Sequence, residues 1–195
     1  MEDFQVIADA RLLASSLGQL PEPEVQPAFI IVSGLPGTGK SYFCRQLAER
    51  LPFLVLESDA VRKSLFPTPT YSTSESSHLF RTIHYLIEGL LRKGIPIILD
   101  ATNLSERHRE RLYNIAERLN AKLILVRVEA PPDLVRERLK VRSERPEIED
   151  NSNADWAVYQ KMKPTAQKIR RKHYAVDTSR DITPVLDKIV REVNR

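Results

Sequence analysis

Apolar residues recur along this chain in two rhythms. Short, nearly unbroken runs at Phe29–Val32, Phe53–Leu56, Ile95–Leu99, Leu123–Val128 and Tyr174–Val176 predict strands. Runs of this kind belong to parallel strands covered by helices on both faces. Between them, apolar side chains fall three and four residues apart, the spacing of one helix face. Leu79, Phe80, Ile83, Ile87, Leu90 and Leu91 make one such stripe, and Leu112, Ile115, Ala116 and Leu119 a second. Ile182, Val185, Leu186, Ile189, Val190 and Val193 make a third. Strands alternating with helices predict an α/β domain of three layers around a parallel sheet.

Ahead of that domain, Val6, Ile7, Ala10, Leu13, Ala14 and Leu17 predict a short amphipathic helix, followed by an extended linker at Pro21–Pro27. Residues 1–27 therefore read as an added helix and linker, and 28–195 as one domain. Pro67–Ser77 reads as a polar, turn-rich loop long enough to serve as a binding element. Pro164 predicts a kink or break in the helical pattern from Ala154 to Lys172. Within that pattern Trp156, Tyr159, Ala166 and Ile169 read as core.

Composition narrows the chemistry only a little. The chain has 195 residues, enough to bury a proper core, and a net charge of +4. That charge suits an anionic ligand without demanding nucleic acid. Cys44 is the sole cysteine, which excludes an internal disulfide and a cysteine-rich metal cage. It reads as a small buried hydrophobe. His78, His84, His108 and His173 lack metal-ligand spacing, and His108 reads as a packed or surface histidine. No apolar run approaches a membrane span. The first residues lack a signal-peptide pattern, so a cytoplasmic location is the expectation.

The strongest chemical signal follows the first strand. Gly34-Leu35-Pro36-Gly37-Thr38-Gly39-Lys40-Ser41 is a full G-x-x-x-x-G-K-[ST] match in the required strand–loop–helix setting. Such a loop turns successive backbone N–H groups toward phosphate oxygens at the start of a helix. Gly34, Pro36, Gly37, Thr38, Gly39, Lys40, Ser41 and the adjoining Tyr42 are therefore assigned to ATP. Lys40 is expected at the β- and γ-phosphates and Ser41 at Mg²⁺.

Other strand ends face the same crevice in a parallel sheet. The second carries Glu57-Ser58-Asp59 and then Arg62-Lys63. Asp59 is placed to take a proton from an acceptor hydroxyl, and Arg62 to hold an acceptor phosphate. The competing reading is that Ser58 or Asp59 caps a helix and Arg62 is a surface charge. The third strand closes on Asp100, in the form of a Walker B carboxylate for Mg²⁺. Asn103 nearby serves the site or starts the next helix. After the fourth strand, Arg138 and Arg142 share a helix face, with Arg145 beyond them and an acidic loop at Glu147–Asn153. They form either a lid, over about residues 136–153, that neutralises phosphoryl charge or a solvated basic helix.

Taken in order, these segments resemble the kinase domain of the phage-type polynucleotide 5′-hydroxyl kinases and related bacterial AAA-type and zeta-toxin-like small kinases. The resemblance spans Ile30 to Arg145. It rests on GLPGTGKS, on Asp59-x-x-Arg62, on IILDATNLSERHRERL and on Arg138-x₃-Arg142. It implies a five-stranded parallel sheet of order 2-3-1-4-5, with Lys40 and Ser41 on nucleotide and metal. Asp59 would be the base, Arg62 the grip on the acceptor, and one arginine of the Arg138–Arg142 pair a contact to the β/γ-phosphates. The Asp-x-Asp-Gly-Thr phosphatase signature carried by many of those enzymes is absent.

Three functions remain open at this point. A polynucleotide 5′-kinase expects a basic groove, for which Arg62, Lys63, Arg81, Arg107 and Arg109 are candidates, and a stacking aromatic, for which Tyr71 is available. For Tyr71 the rival role is pinning its own loop. A small-molecule kinase for sugars, antibiotics or nucleotide-sugars shares the phosphate loop and the Asp–Arg pattern. An NTP-driven switch shares the loop alone.

Overall fold

The computed structural model describes residues 2–144 and 154–195. Arg145 and the acidic loop at Glu147–Asn153, the far part of the expected lid, lie outside the described residues. Five strands form one all-parallel sheet: β1 (Ala28–Ser33), β2 (Leu54–Glu57), β3 (Ile97–Asp100), β4 (Lys122–Glu129) and β5 (Tyr174–Asp177). Their order is β2-β3-β1-β4-β5, as the resemblance implied. β1 is central, pairing Phe29 with Ile97 on one side and Leu123 on the other. Every β1 residue is buried. Phe29 and Ile31 point into one core, while Ala28, Ile30 and Val32 point into the other. This is the two-faced burial that continuous apolar runs predict.

The first core lies under α1 (Glu2–Ser16), α4 (Thr73–Arg92) and α5 (Glu106–Arg118), and the second under α2 (Lys40–Ala48) and α8 (Thr183–Val193). α1 packs on α4 through Ala10 and Leu13, and Asp9 meets His78 Nε2 at 2.7 Å. The linker then crosses the turn after α4, where Glu24 N donates to Gly94 O at 2.8 Å. A Cβ on Gly94 would stand 2.6 Å from Glu24 O, so the linker rests directly on that turn. Among the described residues no helix is long and apolar enough to cross a membrane.

Two expectations change. The polar loop expected at Pro67–Ser77 stops at Ser72, because Ser72 caps α4 by accepting from Glu75 N at 3.2 Å. Its Ser-x-x-Glu spacing is that of a helix start. The helical pattern after Ala154 breaks as Pro164 predicts, but no helix resumes beyond it. α7 (Trp156–Met162) passes into a 3₁₀ turn at Lys163–Thr165, and residues 166–172 are irregular. Tyr159 is buried against Val135 and Leu139, and Trp156 stacks on it with ring centroids 4.8 Å apart. Ala166 is exposed and does not join the core.

The interface of α4 and α5 holds a pH-sensitive histidine. Burial, then the nearby charges of Arg111 and His108, push the pKa of His84 down to about 4 from 6.5. The unfolded chain takes up this proton first, so the neutral ring's contribution is complete above pH 6.5 and declines as pH falls toward 4. His84→Leu is therefore expected to remove about 2 kcal/mol of the stability loss between pH 7 and pH 5. Urea unfolding at the two pH values measures this, and equal losses in variant and parent would refute it.

Candidate functional site

The site is assembled at the C-terminal ends of β1, β2 and β3. Ser33, the last residue of β1, donates through Oγ to Thr102 O and Asn103 O, both at 3.0 Å. Asn103 answers by donating through Nδ2 to Val32 O at 2.9 Å, and its backbone takes φ +46°. Asn103 thus bolts the end of β3 to the end of β1. It does not start α5, whose N-cap is Ser105.

From Ser33 the chain turns through residues 34–39 into α2. Thr38 Oγ1 and Lys40 Nζ both donate to Leu35 O, at 2.7 and 3.0 Å. Gly37 (φ +77°) and Gly39 (φ +93°) hold left-handed conformations that disfavour a side chain. A Cβ on Gly37 would also meet Leu139 Cγ at 2.8 Å, and one on Gly39 would meet Thr178 Oγ1 at 3.0 Å. The loop is therefore closely packed by α6 (Pro132–Glu144) and by the turn after β5 as well as folded for phosphate. Pro36 is buried in the loop, and Tyr42 is exposed on the first turn of α2. Cys44, one turn further on, is buried as expected. Burial and the Asp100 charge push its thiol pKa well up.

Four charged groups converge beside the loop. Burial pushes the Lys40 pKa down, Asp100 and Asp59 pull it back up, and Arg142 lowers it. Asp100 is 5% exposed at the end of β3. Burial raises its pKa, opposed by Lys40 and by a side-chain hydrogen bond with Ser41, while Glu57 and Asp59 push it further up. Lys40, Asp59, Asp100 and Arg142 thus share one electrostatic neighbourhood. Asp59 lies in the first turn of α3 (Ser58–Leu65), whose N-cap residue is Glu57, and the cap makes no side-chain hydrogen bond. The helix-cap reading of Ser58 or Asp59 is not realised.

Ser41 and Asp100, in contact with each other, offer two oxygen donors. Mg²⁺ binds through few protein oxygens and keeps several waters, so this donor set fits that ion. The glycine-bearing loop at the start of α2 similarly fits a phosphate chain.

The arginines separate. Arg138 is turned to the strand-end turn after β5, donating through Nη1 to Thr178 Oγ1 at 2.8 Å and through Nη2 to Thr178 O at 3.0 Å. Thr178 Oγ1 in turn donates to Thr38 O at 2.6 Å, so Arg138 braces the phosphate loop from outside. Arg142 is the member of the pair that lowers the Lys40 pKa, and its guanidinium also holds Ala154 O.

Arg62 departs from the expectation of an open grip. It is 6% exposed, paired with the buried Glu75, and within 3.3 Å of Ser76 Oγ. Its guanidinium carbon lies 4.7 Å from the centroid of the Tyr71 ring. Burial would raise the Glu75 pKa, but hydrogen bonds from Thr70, Arg62 and Tyr71 hold it down at about 2.

Arg109, expected in a basic groove, is instead 1% exposed. It binds Glu106 through Nε and Nη2, Asn103 O through Nη1, and Gln167 O and Lys168 O through Nη2. Its helical position, three residues from Glu106 and on the same face as Leu112, was the available signal for an inward side chain. Lys63 and Arg107 are exposed and Arg81 is half-buried. Fold analogy places the turn of Tyr174–Ser179 near the adenine without singling out Thr178, which directly follows β5 and joins Arg138 to the phosphate loop.

Comparison with known proteins agrees with this architecture. A family model described as an AAA domain matches residues 29–169. The chain is 28% identical over 114 residues to the L-seryl-tRNA(Sec) kinase of Methanococcus maripaludis, a match covering 56% of this chain and 44% of that protein. It thus spans under half the length of that relative. Kti12 of Chaetomium thermophilum, solved in complex with ADP-AlF₃, superposes with TM-score 0.66 and 19% identity, over 85% of this chain and 98% of that one. The APS kinase CysC of Mycobacterium tuberculosis, solved in complex with AMPPNP and APS, gives TM-score 0.64 and 17% identity, over 89% and 100%. At such identities the likeness is one of fold.

Proposed function

The chain belongs to the AAA-domain family, and on that premise we propose that it is an ATP-dependent phosphotransferase acting on an acceptor hydroxyl, foremost the 5′-hydroxyl of a polynucleotide. One observation carries the reading: Asp59, in the first turn of α3 just beyond the end of β2, is close enough to influence both Lys40 and Asp100. A carboxylate beside the phosphate loop, additional to the Asp100 assigned to the metal, is what a kinase can use to receive the acceptor's proton.

In this reading the loop N–H groups and Lys40 hold the β- and γ-phosphates. Asp59 accepts the hydroxyl proton as the new oxygen–phosphorus bond forms and the β–γ bridge breaks, releasing ADP. Arg142 offsets charge on the transferring group. Ser41 and Asp100 would hold Mg²⁺, which would supply positive charge against the phosphates. Arg138 keeps the loop in shape through Thr178.

The polynucleotide acceptor is supported by the Asp-x-Thr-Asn stretch and the arginine pattern that resemble the 5′-hydroxyl kinases. The named relative that acts on a tRNA-linked serine is also consistent with a hydroxyl carried by RNA. A small-molecule acceptor is the second reading, favoured by the commitment of Arg62 to Glu75, since an uncharged acceptor needs no phosphate grip.

Transfer of labelled γ-phosphate to 5′-hydroxyl DNA and RNA oligonucleotides, nucleosides and simple sugars tests both. Labelled oligonucleotide is expected, falling at least about 10³-fold in Lys40→Ala with loss of the phosphate clamp. Label on sugars or nucleosides alone would move the conclusion to the second reading. ATP binding without transfer to the whole panel would overturn both.

A further inference from the structure

Tyr71 joins a fixed backbone to an exposed ring. Its backbone sits at φ +55°, a conformation that bulky residues rarely adopt and that persists only when neighbours enforce it. Glu75 supplies the enforcement: Oε1 accepts from Tyr71 N at 3.2 Å, and Oε2 accepts from Thr70 N at 2.6 Å and Thr70 Oγ1 at 2.8 Å. These bonds fix the main chain at Thr70 and Tyr71. The ring lies over the Arg62 guanidinium, and the residue remains 49% exposed. Arg62 in turn is one helical turn from Asp59 on α3. A flat, exposed ring is thus seated on a side chain of the helix that also carries Asp59, the carboxylate assigned to the acceptor.

We propose that Tyr71, seated on Arg62, is the stacking platform for a nucleobase of the acceptor. This deepens the reading of the site as a phosphotransferase and rests on it for the position of the reacting hydroxyl. Aromatic side chains take nucleobases of any identity because every base offers a π-face, which a sugar lacks. A ring held by its main chain presents that face without losing rotational freedom on binding. Glu75 and Arg62 are positioning residues here, and Tyr71 is the one that touches the base.

Two 3′-labelled five-residue oligonucleotides with 5′-hydroxyl ends test the platform, one complete and one abasic at its 5′-terminal residue. Fluorescence anisotropy measures binding, and γ-phosphate transfer is read in the same samples. Tyr71→Ser is expected to weaken the complete oligonucleotide by roughly five- to a hundredfold and leave the abasic one unchanged. KM for the complete oligonucleotide should rise with kcat retained, and Tyr71→Phe should restore both affinity and KM. Equal loss for the two oligonucleotides, or loss for neither, overturns the platform. Competition by adenosine as strong as by the oligonucleotide would assign the base to a free nucleoside, and competition by the oligonucleotide alone to a chain end. Tyr71-dependent binding without transfer overturns the kinase reading and keeps the platform, whereas transfer indifferent to Tyr71 does the reverse.

Discussion

Asp59→Asn is expected to lower γ-phosphate transfer by about 10²–10⁴-fold while ATP binding stays nearly unchanged. The substitution keeps the size and shape of the side chain and removes its negative charge and its capacity to accept a proton. Asparagine also keeps a polar side chain in the first turn of α3, whose N-cap makes no side-chain hydrogen bond to be lost. The nucleotide loop gets its shape from Leu35 O, Thr178 and α6, none of which involves Asp59. Losing one negative charge beside Lys40 strengthens, if anything, the attraction of the site for phosphate. Initial rates of transfer at saturating acceptor, with calorimetric titration of ATP, separate the two effects. Transfer at the parent's rate would remove Asp59 as the base. A matching loss of ATP binding would make it a structural residue.

Arg109→Met should produce the largest loss of stability, about 3–5 kcal/mol. The guanidinium gathers Glu106, the carbonyl of Asn103 and the carbonyls of Gln167 and Lys168 in a buried position. Methionine preserves much of the volume but takes the partners from the Glu106 carboxylate and the Gln167 and Lys168 carbonyls, and leaves Asn103 O with Ser33 alone. For a chain of this length the cost corresponds to about 6–20 °C in melting temperature. Arg109→Lys is expected to recover little, because one ammonium cannot span acceptors arranged around a planar fork. Thermal and urea unfolding decide the matter, and a loss below about 1 kcal/mol in Arg109→Met would show that water replaces the network without penalty.

What could be read before the fold was known depended on how far apart the partners lie in the chain. The five strands were visible because each is a local apolar run, with ends misplaced by a residue or two. Ile95 was taken into β3, for example, although the strand spans Ile97–Asp100. The phosphate loop, Asp59 and Asp100 were equally legible, since a contiguous motif and two strand ends need only the alternation of elements to bring them together. Arg109 was not. Its hydrogen bonds reach Gln167 and Lys168, 58 and 59 residues away, across a segment whose helical pattern broke. The division of labour between Arg138 and Arg142 was hidden for the same reason, because Thr178 is 40 residues beyond Arg138. Glu75 looked like part of a polar loop, and only the capping by Ser72 turns it inward to meet Arg62.

The alternating faces of β1 have a consequence for cooperativity. A strand that contributes side chains to only one core can detach while the opposite layer persists. β1 contributes Phe29 and Ile31 to one layer and Ala28, Ile30 and Val32 to the other, and it carries the ladder to both β3 and β4. Releasing it therefore dissolves both layers at once, so its amides are expected to exchange through global unfolding, and those of α1 through cheaper sub-global openings. The nucleotide loop hangs from the end of this most protected segment. Its geometry is thus insured by the stability of the whole domain, and a core substitution far from the crevice reaches the loop chiefly by changing the fraction of molecules that are folded.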